Sequence, residues 1–89
     1  MVRINWTREA LGQIDLIRAY IGQFDPAAAD RLATRLIGAG ESLRDFPKRG
    51  GPGRNDTREL AIIPPYVVIY EVCDDPVNIL LIKHGAQQR

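Results

Sequence analysis

Between Thr57 and His84 the chain reads TRELAIIPPYVVIYEVCDDPVNILLIKH. No other stretch limits its possible folds so much. Tyr66 to Cys73 and Val77 to Ile82 are dense in β-branched and aromatic residues, and Pro64-Pro65 and Asp74-Asp75-Pro76 interrupt the runs as turns do. With Thr57 to Ile63 they predict three strands in an antiparallel meander. A sheet with one wet face alternates apolar and polar residues, yet Val67-Val68-Ile69-Tyr70 and Ile79-Leu80-Leu81-Ile82 are apolar at both parities. Both faces of the sheet therefore need cover.

The rest of the chain supplies one cover. Val2-Arg3-Ile4-Asn5-Trp6 alternates as a short edge strand does. Thr7 stands as an N-cap, and a helix is expected over 8–24, with Ala10, Ile14, Ile17, Ile21 and Phe24 forming a core-facing stripe. Asp25-Pro26 restarts a second helix, expected to run to about Arg44, because Asp caps free N–H groups and Pro at the first helical position loses no hydrogen bond. The short join makes an antiparallel helical hairpin. Gly38 and Gly40 each cost about 1 kcal/mol relative to Ala inside a helix, which suggests close packing against the first helix. In the sheet, Leu60 and Ile62 share the core side of their strand, and Tyr66, Val68, Tyr70 and Val72 face the hairpin. Val67, Ile69, Glu71 and Cys73 face the other way. One hairpin covers one face, so Val67 and Ile69 are expected to be covered by another chain.

Composition adds bounds. At 89 residues this is a single domain over 1–89, which buries only roughly 60 to 65 per cent of its unfolded surface, so a partner would add much stability. Twelve Lys and Arg against eleven Asp and Glu give no electrostatic case for strong direct nucleic-acid binding by the whole molecule. The lone cysteine, Cys73, excludes an internal disulfide and is expected to be a structural thiol inside an apolar strand. There is no signal-peptide pattern and no apolar run of membrane-spanning length, so a cytoplasmic location with no membrane contact is expected.

Little catalytic chemistry is visible. His84, Cys73 and Asp74-Asp75 are too few and too scattered for a metal site, and Gly50-Gly51-Pro52-Gly53 lacks the Lys and Ser/Thr of a phosphate-cradling loop. No metal or cofactor is expected. Lys48 to Asp56 reads as a mobile basic loop without regular structure. Arg58 opens one strand, Lys83 and His84 close another, and Arg89 lies beyond them. Because their strands flank the central one, Arg58, Lys83 and His84 are expected to be exposed and close together. Converged, an Arg, a Lys and a His would be the minimum for holding a phosphate and moving protons.

The order strand, helical hairpin, basic loop, meander resembles the RelE/ParE superfamily of bacterial toxins from type II toxin–antitoxin pairs. The residues that bear the likeness are Trp6-Thr7 with Ala10, the run from Asp15 to Ile21, and Leu43, Phe46-Pro47 and Gly50. They continue through Arg58-Glu59-Leu60, Tyr66 to Val72, and Val77 to Ile82 with His84-Gly85-Ala86. The resemblance implies an α+β fold: an N-terminal strand and an antiparallel helical hairpin packed on a three- to four-stranded antiparallel sheet. RelE-like members cleave mRNA on the ribosome, whereas ParE-like members poison DNA gyrase. RelE-like nucleases usually carry Arg after the first Tyr of the central strand, where this chain has Val67. They also tend to have a basic residue soon after the last strand and an aromatic near the C-terminus. Here the last strand leads into Gly85-Ala86-Gln87-Gln88-Arg89, with Gln87 where ParE-like sequences often have Arg.

The likeness thus implies a ParE-like gyrase poison with no catalytic residue, neutralised by a cognate ParD-like antitoxin. Arg58, Lys83, His84 and Arg89 are the target-binding candidates, and Val67, Ile69 and Glu71 the antitoxin-binding ones. The alternatives are a RelE-like ribosome-dependent endonuclease and an inactive antitoxin-binding module.

Overall fold

The computed structural model describes residues 2–85. Strand β1 (Ile4–Trp6) leads into helices α1 (Arg8–Gly22) and α2 (Pro26–Glu41), and a 3-10 turn over Ser42–Arg44 ends the hairpin. Strands β2 (Gly51–Pro52), β3 (Arg58–Ile63), β4 (Tyr66–Val72) and β5 (Val77–His84) follow among the described residues. They form one five-stranded sheet with β1, in the order β1-β5-β4-β3-β2. The meander over β3 to β5 is antiparallel, and β1 joins it parallel to β5. The fold is α+β as the sequence implies, with one more strand than the upper expectation: β2, a short edge strand from the loop read as irregular.

Local chemistry sets the helix starts. The Thr7 hydroxyl accepts from the Ala10 N–H and lies 2.8 and 2.9 Å from the carbonyl oxygens of Ile79 and Leu80, so the cap of α1 is also tied to β5. Asp25 caps α2 by accepting from the Ala28 N–H at 3.0 Å. The hairpin lies on one face of the sheet, where Ala10, Ile14, Leu36 and Leu43 pack with Leu60, Val68, Tyr70, Val77, Ile79 and Ile82. Gly40 is closely packed, but against β1: a Cβ there would stand 2.4 Å from the Trp6 ring. Gly38 faces open space, with nothing within 4 Å of a Cβ.

Two irregularities in the ladders decide which side chains enter the core. Leu60 pairs with Val68, but Ile63 rather than Ile62 pairs with Tyr66. The extra residue moves Ile63 into the core and leaves Ile62 exposed, correcting the assignment from parity. In β5, Ile79 pairs with Tyr70 and Leu81 with Ile69, so Leu80 is the extra residue. There the Ile82 N–H donates to Gln13 of α1 at 2.5 Å.

Candidate functional site

Arg58 begins β3 opposite Tyr70, while His84 ends β5 opposite Tyr66. In a meander the outer two strands run parallel to each other, so the start of one and the end of the other lie at opposite ends of the sheet. The two residues are about 13 Å apart along the strands and about 10 Å across them. Lys83 pairs with Val67 on the outer face and His84 with Tyr66 on the helix-covered face. The expected cluster of Arg58, Lys83 and His84 therefore does not form, and each of the three is partly buried rather than exposed. Arg89 lies outside the described residues.

Arg58 instead has a structural task. Its terminal nitrogen donates to the carbonyl oxygens of Lys48 and Gly50, at 3.0 and 2.5 Å. Its Nε is buried without a hydrogen-bond partner among the described residues. The Tyr70 hydroxyl accepts from the Gly50 N–H. Further along, Gly53 N–H donates to Thr57 O and Thr57 N–H to Arg54 O. Asn55 and Asp56, at φ 54 and 64, take the left-handed conformation that their short polar side chains tolerate. The segment read as a mobile loop is thus a built turn, anchored at both ends.

Val67 and Ile69 lie on the sheet face away from the helices, as expected, but each is only 8% exposed. They sit on the central strand, between Glu59 of β3 and Leu81 and Lys83 of β5, and the 54–57 turn lines the same hollow as Ile69. Neighbouring strands and this turn supply the cover that sequence pattern assigns to another chain. Glu71 accepts from the Asn78 side chain, which accepts from Asn5, making a polar ladder across three strands. Cys73 is exposed rather than buried, since β4 ends at Val72. Partial desolvation, with the Glu71 carboxylate beside it, pushes its thiol pKa up, which disfavours the nucleophilic thiolate.

The open apolar surface is on the other side of the molecule. Leu16, Tyr20 and Phe24, four residues apart on the α1 side, are 71%, 61% and 74% exposed. Tyr20 and Phe24 meet edge to face with ring centroids 5.6 Å apart. Phe24, assigned to the core by periodicity, lies just past the end of α1 and outside the core. Beside this stripe is an open groove of about 380 Å³ lined by Gln13, Leu16, Ile17, Tyr20, Tyr66, Ile82 and His84. The signal for it in the sequence is the stripe itself, Leu16-Tyr20-Phe24 at helical spacing. It competes with Ile14-Ile17-Ile21, and pattern alone does not rank two adjoining stripes. No helix among the described residues is long and apolar enough to cross a membrane.

Comparison with known proteins agrees with this architecture. The sequence profile described as "ParE toxin of type II toxin-antitoxin system, parDE" matches residues 4–89. The chain is 46% identical over 87 residues to Toxin RelE2 of Caulobacter vibrioides, covering 98% of this chain and 99% of that one. It is 43% identical over 88 residues to Y4kP of Sinorhizobium fredii, covering 97% and 91%. Among solved structures it is similar to a chain from the chromosomal ParDE toxin–antitoxin system of P. aeruginosa. That match has a TM-score of 0.82 at 22% identity, over 94% of this chain and 96% of the other. With a profile spanning nearly all its residues and relatives aligned end to end, this chain belongs to the ParE toxin family of type II toxin–antitoxin systems.

Proposed function

We propose that this chain is a toxin that acts by binding DNA gyrase rather than by cleaving RNA, and that a ParD-like antitoxin silences it. The observation that supports binding over cleavage is the separation of Arg58 from His84. Arg58 is occupied by loop carbonyls at one end of the sheet, and Lys83 and His84 point to opposite faces at the other. A nuclease site needs phosphate-holding and proton-moving groups within hydrogen-bond reach of one substrate. Lys83 and His84, with Arg89, are then contacts to the target, and Arg58 acts through the loop it holds. Expressed alone in bacteria, the protein should stop division and leave gyrase-dependent DNA breaks. Ribosome-dependent mRNA cutting by the purified protein would overturn this reading in favour of the RelE-like one.

The groove beside α1 supports a docking place for the antitoxin. Leu16, Tyr20 and Phe24 expose a stripe about two turns long, and an amphipathic helix is the complementary shape for such a groove. Val67, Ile69 and Glu71 belong to a second contact on the opposite face. Titrating Tyr20→Asp toxin with its ParD-like antitoxin should show a large loss of affinity while the circular dichroism is unchanged. Full affinity would remove the groove as the docking site.

A further inference from the structure

We propose that the outer face of the sheet holds a socket for an acidic segment of the antitoxin, one that inserts a branched apolar side chain and sets a carboxylate against Arg54 and Lys83. This rests on the reading that an antitoxin binds the chain. The socket is a hollow of about 200 Å³ with Ile69, Leu80 and Leu81 among its lining residues. Its origin is the β5 irregularity: the extra residue that keeps both Ile79 and Ile82 in the core puts two successive leucines against this hollow. Arg54 and Lys83 also line it, with Glu59 as the one carboxylate among the described lining residues. The hydrogen-bonded turn that closes through Gly53 and Thr57 fixes the Arg54 backbone, whose carbonyl accepts from the Thr57 N–H, and leaves its guanidinium exposed at the rim. An apolar hollow with two cations against one anion favours an occupant that is apolar at its centre and negative at its edge.

The socket and the α1 groove are back to back. Lys83 lines one and His84 the other, and they are consecutive residues on opposite faces of β5. A single helix cannot fill both. An antitoxin segment that leaves the groove and turns round the end of the sheet reaches the socket, so the partner holds that end from both sides.

The test is titration calorimetry of full-length toxin with its antitoxin at about 50 mM and about 300 mM salt. Three proteins are compared: wild type, the paired charge reversal Arg54→Glu with Lys83→Glu, and Tyr20→Asp. The reversal should weaken binding by about tenfold or more at low salt and flatten its salt dependence. Amide exchange at Leu81 should be slowed by wild-type antitoxin and less so in the reversed protein. A folded reversal variant with wild-type affinity and salt slope overturns the socket, whatever Tyr20→Asp does. Absence of binding by wild-type toxin would overturn both this and the antitoxin reading, whereas loss confined to Tyr20→Asp leaves the groove and removes the socket.

Discussion

The Tyr70 hydroxyl accepts a hydrogen bond from the backbone N–H of Gly50 at 2.9 Å, in a buried setting, from a residue twenty positions earlier in the chain. This contact joins the central strand to the basic loop, and Arg58 closes the same junction by donating to Gly50 O. Tyr70 is fully buried, so its ring packs as a core residue while its hydroxyl satisfies the loop's backbone. Tyr70→Phe should keep the packing and strand the Gly50 N–H without a partner, a loss of about 1 to 3 kcal/mol. Urea unfolding measures it. An unchanged midpoint would mean that the loop is held without this bond.

The two glycines of α2 should respond in opposite directions to the same substitution. Gly40→Ala drives a Cβ into the Trp6 ring, whose indole N–H is fixed by donation to Glu41, and should destabilise by about 1 to 3 kcal/mol. Gly38→Ala meets nothing and removes backbone freedom from the unfolded chain, so it should stabilise by roughly 0.5 to 1 kcal/mol. Thermal melts of the two variants decide. Equal shifts would show that the approach of β1 to α2 is looser than the structure has it.

These residues also show how far the sequence is legible. Thr7 and Asp25 are readable because a cap is local chemistry, and the meander is readable because turn residues separate runs of strand formers. Gly40 reads correctly as a close approach but points to the wrong partner, since one glycine does not say which element comes near. The ladder irregularities at Ile62 and Leu80 are invisible in the sequence: they depend on the paired strand, and each reverses the parity of the residues after it. Arg58 and His84 are misplaced by strand order alone, as adjacency to one central strand does not bring opposite termini together. Val67 and Ile69 read as open because cover from flanking strands and from a folded-back turn leaves no mark in local pattern.

Phe24 gives a direct test of the stripe that periodicity misassigns. It is 74% exposed and touches Tyr20 edge to face. As a core residue its removal would be costly. As a surface residue, Phe24→Ser should change stability by no more than about 0.5 kcal/mol. A loss of several kcal/mol in chemical denaturation would return Phe24 to the core.

The latch between β1 and α2 should make stability depend on pH in the acid range. Glu41 accepts from the Trp6 indole at 2.8 Å and from Arg44, and the Trp6 bond first, then Arg44, holds its carboxyl pKa below the ordinary value of 4.5. In the unfolded chain, where both partners are lost, the group returns to that value. Well above about 4.5 the carboxylate is ionised in both states, and the latch contributes fully. As the pH falls below that value the unfolded state takes up its proton first, and the contribution is lost as the pH passes through the depressed folded value. Asp75, lowered chiefly by the Arg3 backbone N–H, acts in the same direction at the start of β5. Glu41→Gln keeps an acceptor for the indole but no charge to titrate. Its stability should therefore fall below wild type at neutral pH, and the gap should narrow as both are acidified. Urea unfolding across pH 7 to about 3 reads this difference. Parallel curves, with the gap constant into acid, would mean that the Glu41 charge contributes nothing to holding β1 against α2.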